Sequence, residues 1–354
     1  LHQELFVNYR SIIATLGAVA VLAGCSTPGN TSSANAPVIA SDTSISSLSR
    51  AKGGSGSLYV SSAHPAPNGG VIVFSGHPLK YARTITNGIG GPQGLALNSN
   101  SQLFVANFTT STITIYNKGG SSPVRTLSRA LNLPWRLAVS SKGDVYVDAE
   151  NHVNIYINSR QNKFKRIKSV PTGIAIDSSD NAYVAAEGII LVFPPGVTKP
   201  TRTITEGLNN PGPLAIDAQG NLYVANLNPS PCGDVTIYDA ATGVLENTLT
   251  SGVCAPASFA FDSSDDVCVG NYDDRGTPDV TMYAASTGAL MKTITNGIIE
   301  PLALTVDPSN NLYVANTAQH GNVVVYAPNQ TSPSATLTKN LFYPRIWFGF
   351  RSTF

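Results

Sequence analysis

The sequence predicts an all-β protein, a seven-bladed β-propeller of four-stranded blades closed by a C-terminal strand, and three observations carry that expectation. First, one short strand recurs seven times, as Leu58-Tyr59-Val60, Leu103-Phe104-Val105, Val145-Tyr146-Val147, Ala182-Tyr183-Val184, Leu222-Tyr223-Val224, Val267-Cys268-Val269 and Leu312-Tyr313-Val314. The spacings are 45, 42, 37, 40, 45 and 45 residues, a period that signals a repeat architecture. Second, three further strands accompany the later copies, rich in β-branched residues and Tyr and separated by Gly, Pro, Asn and Asp, which is the pattern of a propeller blade. Third, no segment of the body keeps a 3.6-residue apolar period, so a helical solenoid is excluded.

The elements follow in chain order. Ser11 to Gly24 form a 14-residue, mostly apolar and uncharged stretch behind a single basic residue, Arg10. That is short of the roughly 20 residues a bilayer span needs, and it suits the apolar region of a secretory signal. It ends on Leu22-Ala23-Gly24-Cys25, which resembles the lipobox of bacterial lipoproteins. The resemblance implies lipidation of Cys25, cleavage before it, and an anchored product outside the cytoplasm, in the outer membrane if the cell has one, given Ser26 after the Cys. Residues 1–25 are thus read as a signal peptide. Residues 26–50, rich in Ser, Thr, Ala, Asn and Pro, are read as a flexible linker, and residues 51–354 as the propeller.

Within a blade, strands a to d run from the axis outward. Strand a is typified by Gly94-Leu95-Ala96-Leu97 and Gly173-Ile174-Ala175-Ile176, and the recurring strand above is b. Strand c is typified by Val235-Thr236-Ile237-Tyr238 and strand d by Lys292-Thr293-Ile294-Thr295. The Leu58 copy has no inner strand of its own. Tyr343-Pro344-Arg345-Ile346-Trp347-Phe348-Gly349-Phe350 aligns with the strand opening at Pro92-Gln93-Gly94-Leu95, so the C-terminus is expected to complete the first blade and remove an open sheet edge. A six-bladed ring with one degenerate copy is the alternative. The units resemble NHL and YVTN repeats in P-x-G-[LI]-A-[LI]-[DN], N-L-Y-V-A-N and I-Y-D-A-A-T-G over about 57–350. That resemblance implies the fold; such propellers host binding, lyase and hydrolase activities alike.

Function is sparsely written. Net charge is +1, from 22 Lys and Arg against 21 Asp and Glu, which gives no whole-chain footprint for nucleic acid. Five cations cluster near the outer strand of the third blade, Arg160, Lys163, Lys165, Arg166 and Lys168; they read as a guarded edge strand or as a surface for an anionic envelope polymer. The d–a and b–c loops share one face, here the top. It collects His64, His152, His320, Glu150, Glu187 and the Asp273-Asp274-Arg275 loop, together with Gln93, Trp135 and Arg345, which follow inner-strand prolines. Asn107, Asn226, Asn271 and Asn316 end b strands and read either as ligand-binding amides or as strand caps.

Asp177, Asp217, Asp262 and Asp307, in a–b turns, read as turn residues bonded to their own backbone rather than as calcium ligands. Gluconolactonase-like propellers place a Glu two residues before an inner-strand Pro; here those positions are Gly90, Asn132, Ser169, Asn209, Cys254, Ile299 and Phe342, and the carry-over fails. Streptogramin lyases, relatives that use His and Glu near a divalent cation, supply the alternative of a metal-assisted lyase or hydrolase. Cys232 and Cys254 fall in neighbouring top loops and are expected to form a disulfide, whereas Cys268 is expected to be a buried thiol. The reading is a monomeric, membrane-tethered binding scaffold for an envelope partner, polymer or small ligand. It needs no cofactor unless it is enzymatic, when a divalent cation would serve, and it takes no nucleic acid.

Overall fold

The structure, a computed structural model, describes residues 21–24, 40–41, 45–46, 56–62, 68–150, 152–160, 164–168, 171–186, 188–227, 232–272, 277–316 and 321–341. Seven four-stranded antiparallel sheets form the blades of a propeller. Six of them follow the chain in order, with inner strands Pro92–Leu97, Pro134–Val139, Pro171–Ile176, Pro211–Ile216, Pro256–Phe261 and Pro301–Val306. Each inner strand opens on Pro, whose missing N–H is tolerated at the first residue of a strand. One extra residue follows each Pro before the pairing with strand b becomes regular. This bulge turns the side chain after the Pro away from the regular alternation.

The first blade is closed differently from the expectation. Its inner strand is Val21–Gly24, antiparallel to Ser57–Ser62, with Val21 opposite Val60 and Gly24 opposite Ser57. Residues 345–350, expected there, lie outside the described residues. Within the stretch read as a linker, Ala40–Ser41 pairs with Ile45–Ser46, and this hairpin runs beside the inner strands of several blades.

Packing between blades makes the core. Tyr223 of blade five, for example, meets Phe259 and Phe261 of blade six at centroid distances of 6.4 and 4.9 Å, among Val235, Leu249, Val267 and Val269. Each fully buried side chain of this size contributes roughly 1.5–3 kcal/mol, so the ring is held by faces of apolar side chains rather than by its turns. A second device repeats at the rim. Tyr116, Tyr238, Tyr283 and Tyr326, ending c strands, donate to the carbonyls of Asn87, Glu206, Ser251 and Asn296 at 2.6, 2.6, 2.7 and 2.5 Å. Each bond ties strand c to the turn that leads into its own blade.

On the bottom face the a–b turns are held by their own aspartates and linked from blade to blade, as where Ser141 donates to Asp180 and Gln219 to Asp265. Asp177, Asp217 and Asp307 each accept two backbone N–H groups through Oδ1, and each Oδ2 takes an Asn amide and a Tyr hydroxyl. Asp262 accepts from Ser264 and Asp266. Their oxygens hold turns, as Asx chemistry predicts.

Candidate functional site

The four b-strand asparagines are not surface amides. Asn107, Asn226, Asn271 and Asn316 are at most 1% exposed. Each Oδ1 accepts the N–H of the residue two before the inner-strand Pro, namely Gly90, Asn209, Cys254 and Ile299, at 3.0–3.1 Å. The Nδ2 groups of Asn226, Asn271 and Asn316 donate to the carbonyls of Gly207, Gly252 and Gly297. These buried side chains clamp the loops entering blades two, five, six and seven.

Blades three and four depart from this scheme, with Ala186 opposite Pro171 in blade four; blade three finds a substitute. Ala149 stands where the clamp should be, and Asn154 of strand c donates instead to the equivalent carbonyl, that of Ala130, at 2.8 Å. Arg166 donates to the same oxygen. Above it, Trp135 lies in the bulge, half-buried, and meets Phe108 of blade two edge-to-face at 5.6 Å. Sequence reading missed Phe108, because it follows the b-strand Asn as an ordinary loop residue. Arg136, next in the bulge, pairs with the nearly buried Asp148 at 3.2 Å, and Asn132 donates to the Glu150 carboxylate. His152 opens strand c opposite Ala149 and Lys168. Burial pushes the Tyr156 hydroxyl up to about 12, against the pull of an Asn154 hydrogen bond and of Arg166 and Arg129.

The other positions after the inner-strand Pro contribute less. Thr172 donates to the Pro211 carbonyl at 2.6 Å across the blade boundary, and Gly212, Ala257 and Leu302 are buried. Gln93 is half-buried, and its Oε1 has no hydrogen-bond partner among the described residues. The structure therefore brings Trp135, Phe108, Arg136, Asp148, Glu150 and His152 to one sector of the top face. Cys25, His64, Glu187, Asp273, Asp274, Arg275, His320 and Arg345 lie outside the described residues. Among the described residues no three of His, Cys, Asp and Glu come together as a metal site. Cys232 and Cys254 are joined by a disulfide across the top loops of blades five and six. Cys268 is buried and free, and burial pushes its thiol up to about 12.

Charge is sorted around the ring. Residues 57–168, blades one to three, carry 12 Lys and Arg against three Asp and Glu, whereas residues 169–341 carry five against 16. No Asp or Glu occurs between residues 43 and 143. Whole-chain bookkeeping cancels these halves to +1; summing by repeat exposes them. At the outer edge of blades two and three, Arg125, Arg129, Arg160 and Arg166 are exposed. Arg125 bridges the two blades by donating to the Ser159 carbonyl at 3.1 Å.

No protein-family model matches the chain, and no curated protein matches it. Solved structures do. The β-propeller domain of Cps50 (Swd1) from Myceliophteria thermophila superposes with a TM-score of 0.63 at 11% identity, over 85% of this chain and 99% of that one. The WD40 β-propeller domain of Doa1 gives 0.61 at 14% identity, over 78% and 90%. Identities this low show a shared fold alone, that of a β-propeller, which the seven four-stranded sheets of this chain form. Among the described residues no helix is long and apolar enough to cross a membrane.

Proposed function

We propose that the chain is a lipid-anchored, extracytoplasmic propeller of the NHL/YVTN type that works as a binding scaffold, with blades two and three docking an anionic envelope polymer. The observation that carries this is the sorting of charge on a rigid ring. A body with 12 cations against three anions on one side attracts and orients a polyanion before contact. The lipobox-like residues before Cys25 support the address, and export argues for an envelope polymer over nucleic acid. The half-buried Trp135–Phe108 pair beside this sector supplies an aromatic anchor of the kind enriched at binding hot spots. Scaffolding of this kind requires no cofactor and no second copy.

Poly-L-glutamate serves as the probe. Wild-type protein is expected to bind it in a salt-dependent manner, weakening steeply as ionic strength shortens the screening length from about 10 Å at 0.1 M to 3 Å at 1 M. Replacing Arg125, Arg160 and Arg166 together by Gln removes three exposed charges at roughly 0.5 kcal/mol each, or about tenfold in affinity. Equal binding of poly-L-lysine, or an unchanged affinity in the triple variant, would overturn the assignment.

A further inference from the structure

Between blades three and four the bottom face encloses two carboxylates and a tyrosine hydroxyl that the chain leaves incompletely matched. We propose that this place binds one hard divalent cation, held by the Asp144 and Asp180 carboxylates and the Tyr146 hydroxyl oxygen. The site rests on neither the lipid anchor nor the polyanion reading.

A swap within the repeat creates it. In blade four the a–b turn opens on Asp177 and closes on Asn181, and the Asp177 carboxylate takes both the Asn181 amide and the Tyr183 hydroxyl. Blades five and seven repeat this. In blade three the same turn runs from Ser140 to Asp144: Ser140 N–H donates to the Asp144 carbonyl as Asp177 N–H does to that of Asn181. Ser140 thus stands in the place of the Asp, and Asp144 in the place of the Asn. The short Ser140 side chain accepts the Asp144 N–H at 2.9 Å and does not reach the tyrosine. Tyr146, the counterpart of Tyr183, is fully buried, and its Oη has no hydrogen-bond partner among the described residues.

The carboxylates converge on the same place from two blades. Tyr146 meets Phe193 of blade four at a centroid distance of 6.3 Å. Three residues further on, Gly196 N–H donates to Asp144 Oδ2 at 3.1 Å, so Tyr146 and Asp144 face one turn of blade four. Asn158 N–H donates to Asp144 Oδ1 at 2.7 Å. From the a–b turn of blade four, Asp180 reaches back to Ser141, whose N–H and hydroxyl donate to its two oxygens at 2.7 and 2.6 Å. Asp144 and Asp180 are only 3% and 7% exposed. Burial first, and then the charges of Asp144 and Asp180, push the Tyr146 hydroxyl above its ordinary range; it stays neutral and both carboxylates act on it.

Charge decides what belongs there. Neither carboxylate has a Lys or Arg partner among the described residues, where Arg136 pairs with Asp148; Lys142, in the same turn, is exposed. Two buried negative charges without a counter-charge are costly, and one divalent ion cancels both. Every donor is an oxygen, the ligand type of calcium-class ions, and water completes the shell of six or more. Bound there, the ion ties blade three to blade four, the two blades in which Ala149 and Ala186 replace the b-strand Asn clamp.

Calorimetric titration of the chelator-treated full chain with calcium chloride tests this. One site is expected, with Kd of about 0.1–1 mM, the range of extracellular modules. At about ten times that concentration the ion should raise the melting temperature by about 2 °C. Ser140→Asp with Asp144→Asn restores the arrangement of blade four at unchanged net charge. It should melt no lower than wild type without calcium, and lose both the heat of binding and the shift. Tyr146→Phe is the second variant. Its hydroxyl bonds nothing among the described residues, so the calcium-free melt should hold while calcium binding weakens severalfold, a change that a merely structural tyrosine would not make. A wild-type protein that gives no heat and no shift, the outcome of a buried water alone, overturns the proposal. Calcium binding as tight in the two variants as in wild type would put the ion elsewhere on the ring and overturns it too.

Discussion

Replacing Asn316 separates a clamp from a ligand-binding amide. Its side chain is 1% exposed, accepts from Ile299 N–H at 3.1 Å and donates to the Gly297 carbonyl at 2.7 Å and to Asn322 Oδ1 at 2.9 Å. Asn316→Ala strands one buried N–H, at about 1–3 kcal/mol, and removes two donors from acceptors that retain other lone pairs, at about 0.5–1 kcal/mol together. The expected loss is therefore about 1.5–4 kcal/mol, a fall in melting temperature of roughly 2–7 °C for a chain of this size. Asn316→Asp keeps the acceptor for Ile299 but turns a carboxylate toward the Gly297 carbonyl and Asn322 Oδ1. It should be the worse variant at neutral pH. Burial and those acceptors raise its folded pKa above the unfolded value, so its stability should recover as pH falls and the acid regains a donor. Thermal melts of both variants between pH 4 and 8 read this directly. An Asn316→Ala ring that melts with wild type would refute the clamp, and an Asp variant without pH dependence would refute the geometry.

The remaining expectations concern other parts of the ring. Trp135→Ala removes the 5.6 Å edge-to-face contact with Phe108 and should cost about 1 kcal/mol of stability while weakening poly-L-glutamate capture severalfold; a large melting shift with unchanged capture would make Trp135 a packing residue only. Reducing the Cys232–Cys254 disulfide, which closes a 22-residue loop, should lower stability by about 3 kcal/mol in the chain-entropy model, and an unshifted melt on adding reductant would contradict it. Cys268, raised to about 12 by burial, stays a protonated thiol across the working range. Because its folded pKa lies above the unfolded one, its contribution is complete below about pH 8 and is lost as pH climbs toward 12. Iodoacetamide at pH 8.5 should therefore label it only after unfolding, and rapid labelling of folded protein would sink this assignment.

Much of the fold was legible because most blades repeat the same local solution. A Pro-led inner strand, a Tyr or Phe in strand b and an Asn at its end each leave a mark in sequence at fixed distance. Clamp and ligand amide looked alike on paper, since Asn107, Asn226, Asn271 and Asn316 sit at a mouth in either case; only their burial and their N–H donors from the facing loop decide. Phe108 was invisible because its partner, Trp135, comes from the next blade, 27 residues on. The polarity of the ring was in the sequence throughout, but one sum over the chain cancels it.

The repeat yields in blades three and four, where Ala149 and Ala186 stand opposite the inner-strand Pro, and blade three finds a substitute clamp. Buried Arg83 Nε and Arg202 Nε, in blades one and four, are without a hydrogen-bond partner among the described residues. Moving the clamp from a b-strand Asn to Asn154 satisfies the Ala130 carbonyl but leaves Asn154 Oδ1 without a hydrogen-bond partner among the described residues, as is Gln93 Oε1 one blade earlier. Buried polar atoms left unpaired cost about 1–3 kcal/mol each, whereas the conforming blades five, six and seven carry none of them. Local inconsistency of this kind collects where a chain serves something besides its own stability. The same sector holds the aromatic pair, the Arg136–Asp148 bond and the exposed arginines. Restoring the repeat with Ala149→Asn and Asn154→Thr should therefore stabilise the ring and weaken polyanion capture together, a coupling that thermal melts and poly-L-glutamate binding on the same preparation measure. A variant that gains stability with capture intact would place the binding surface on another blade.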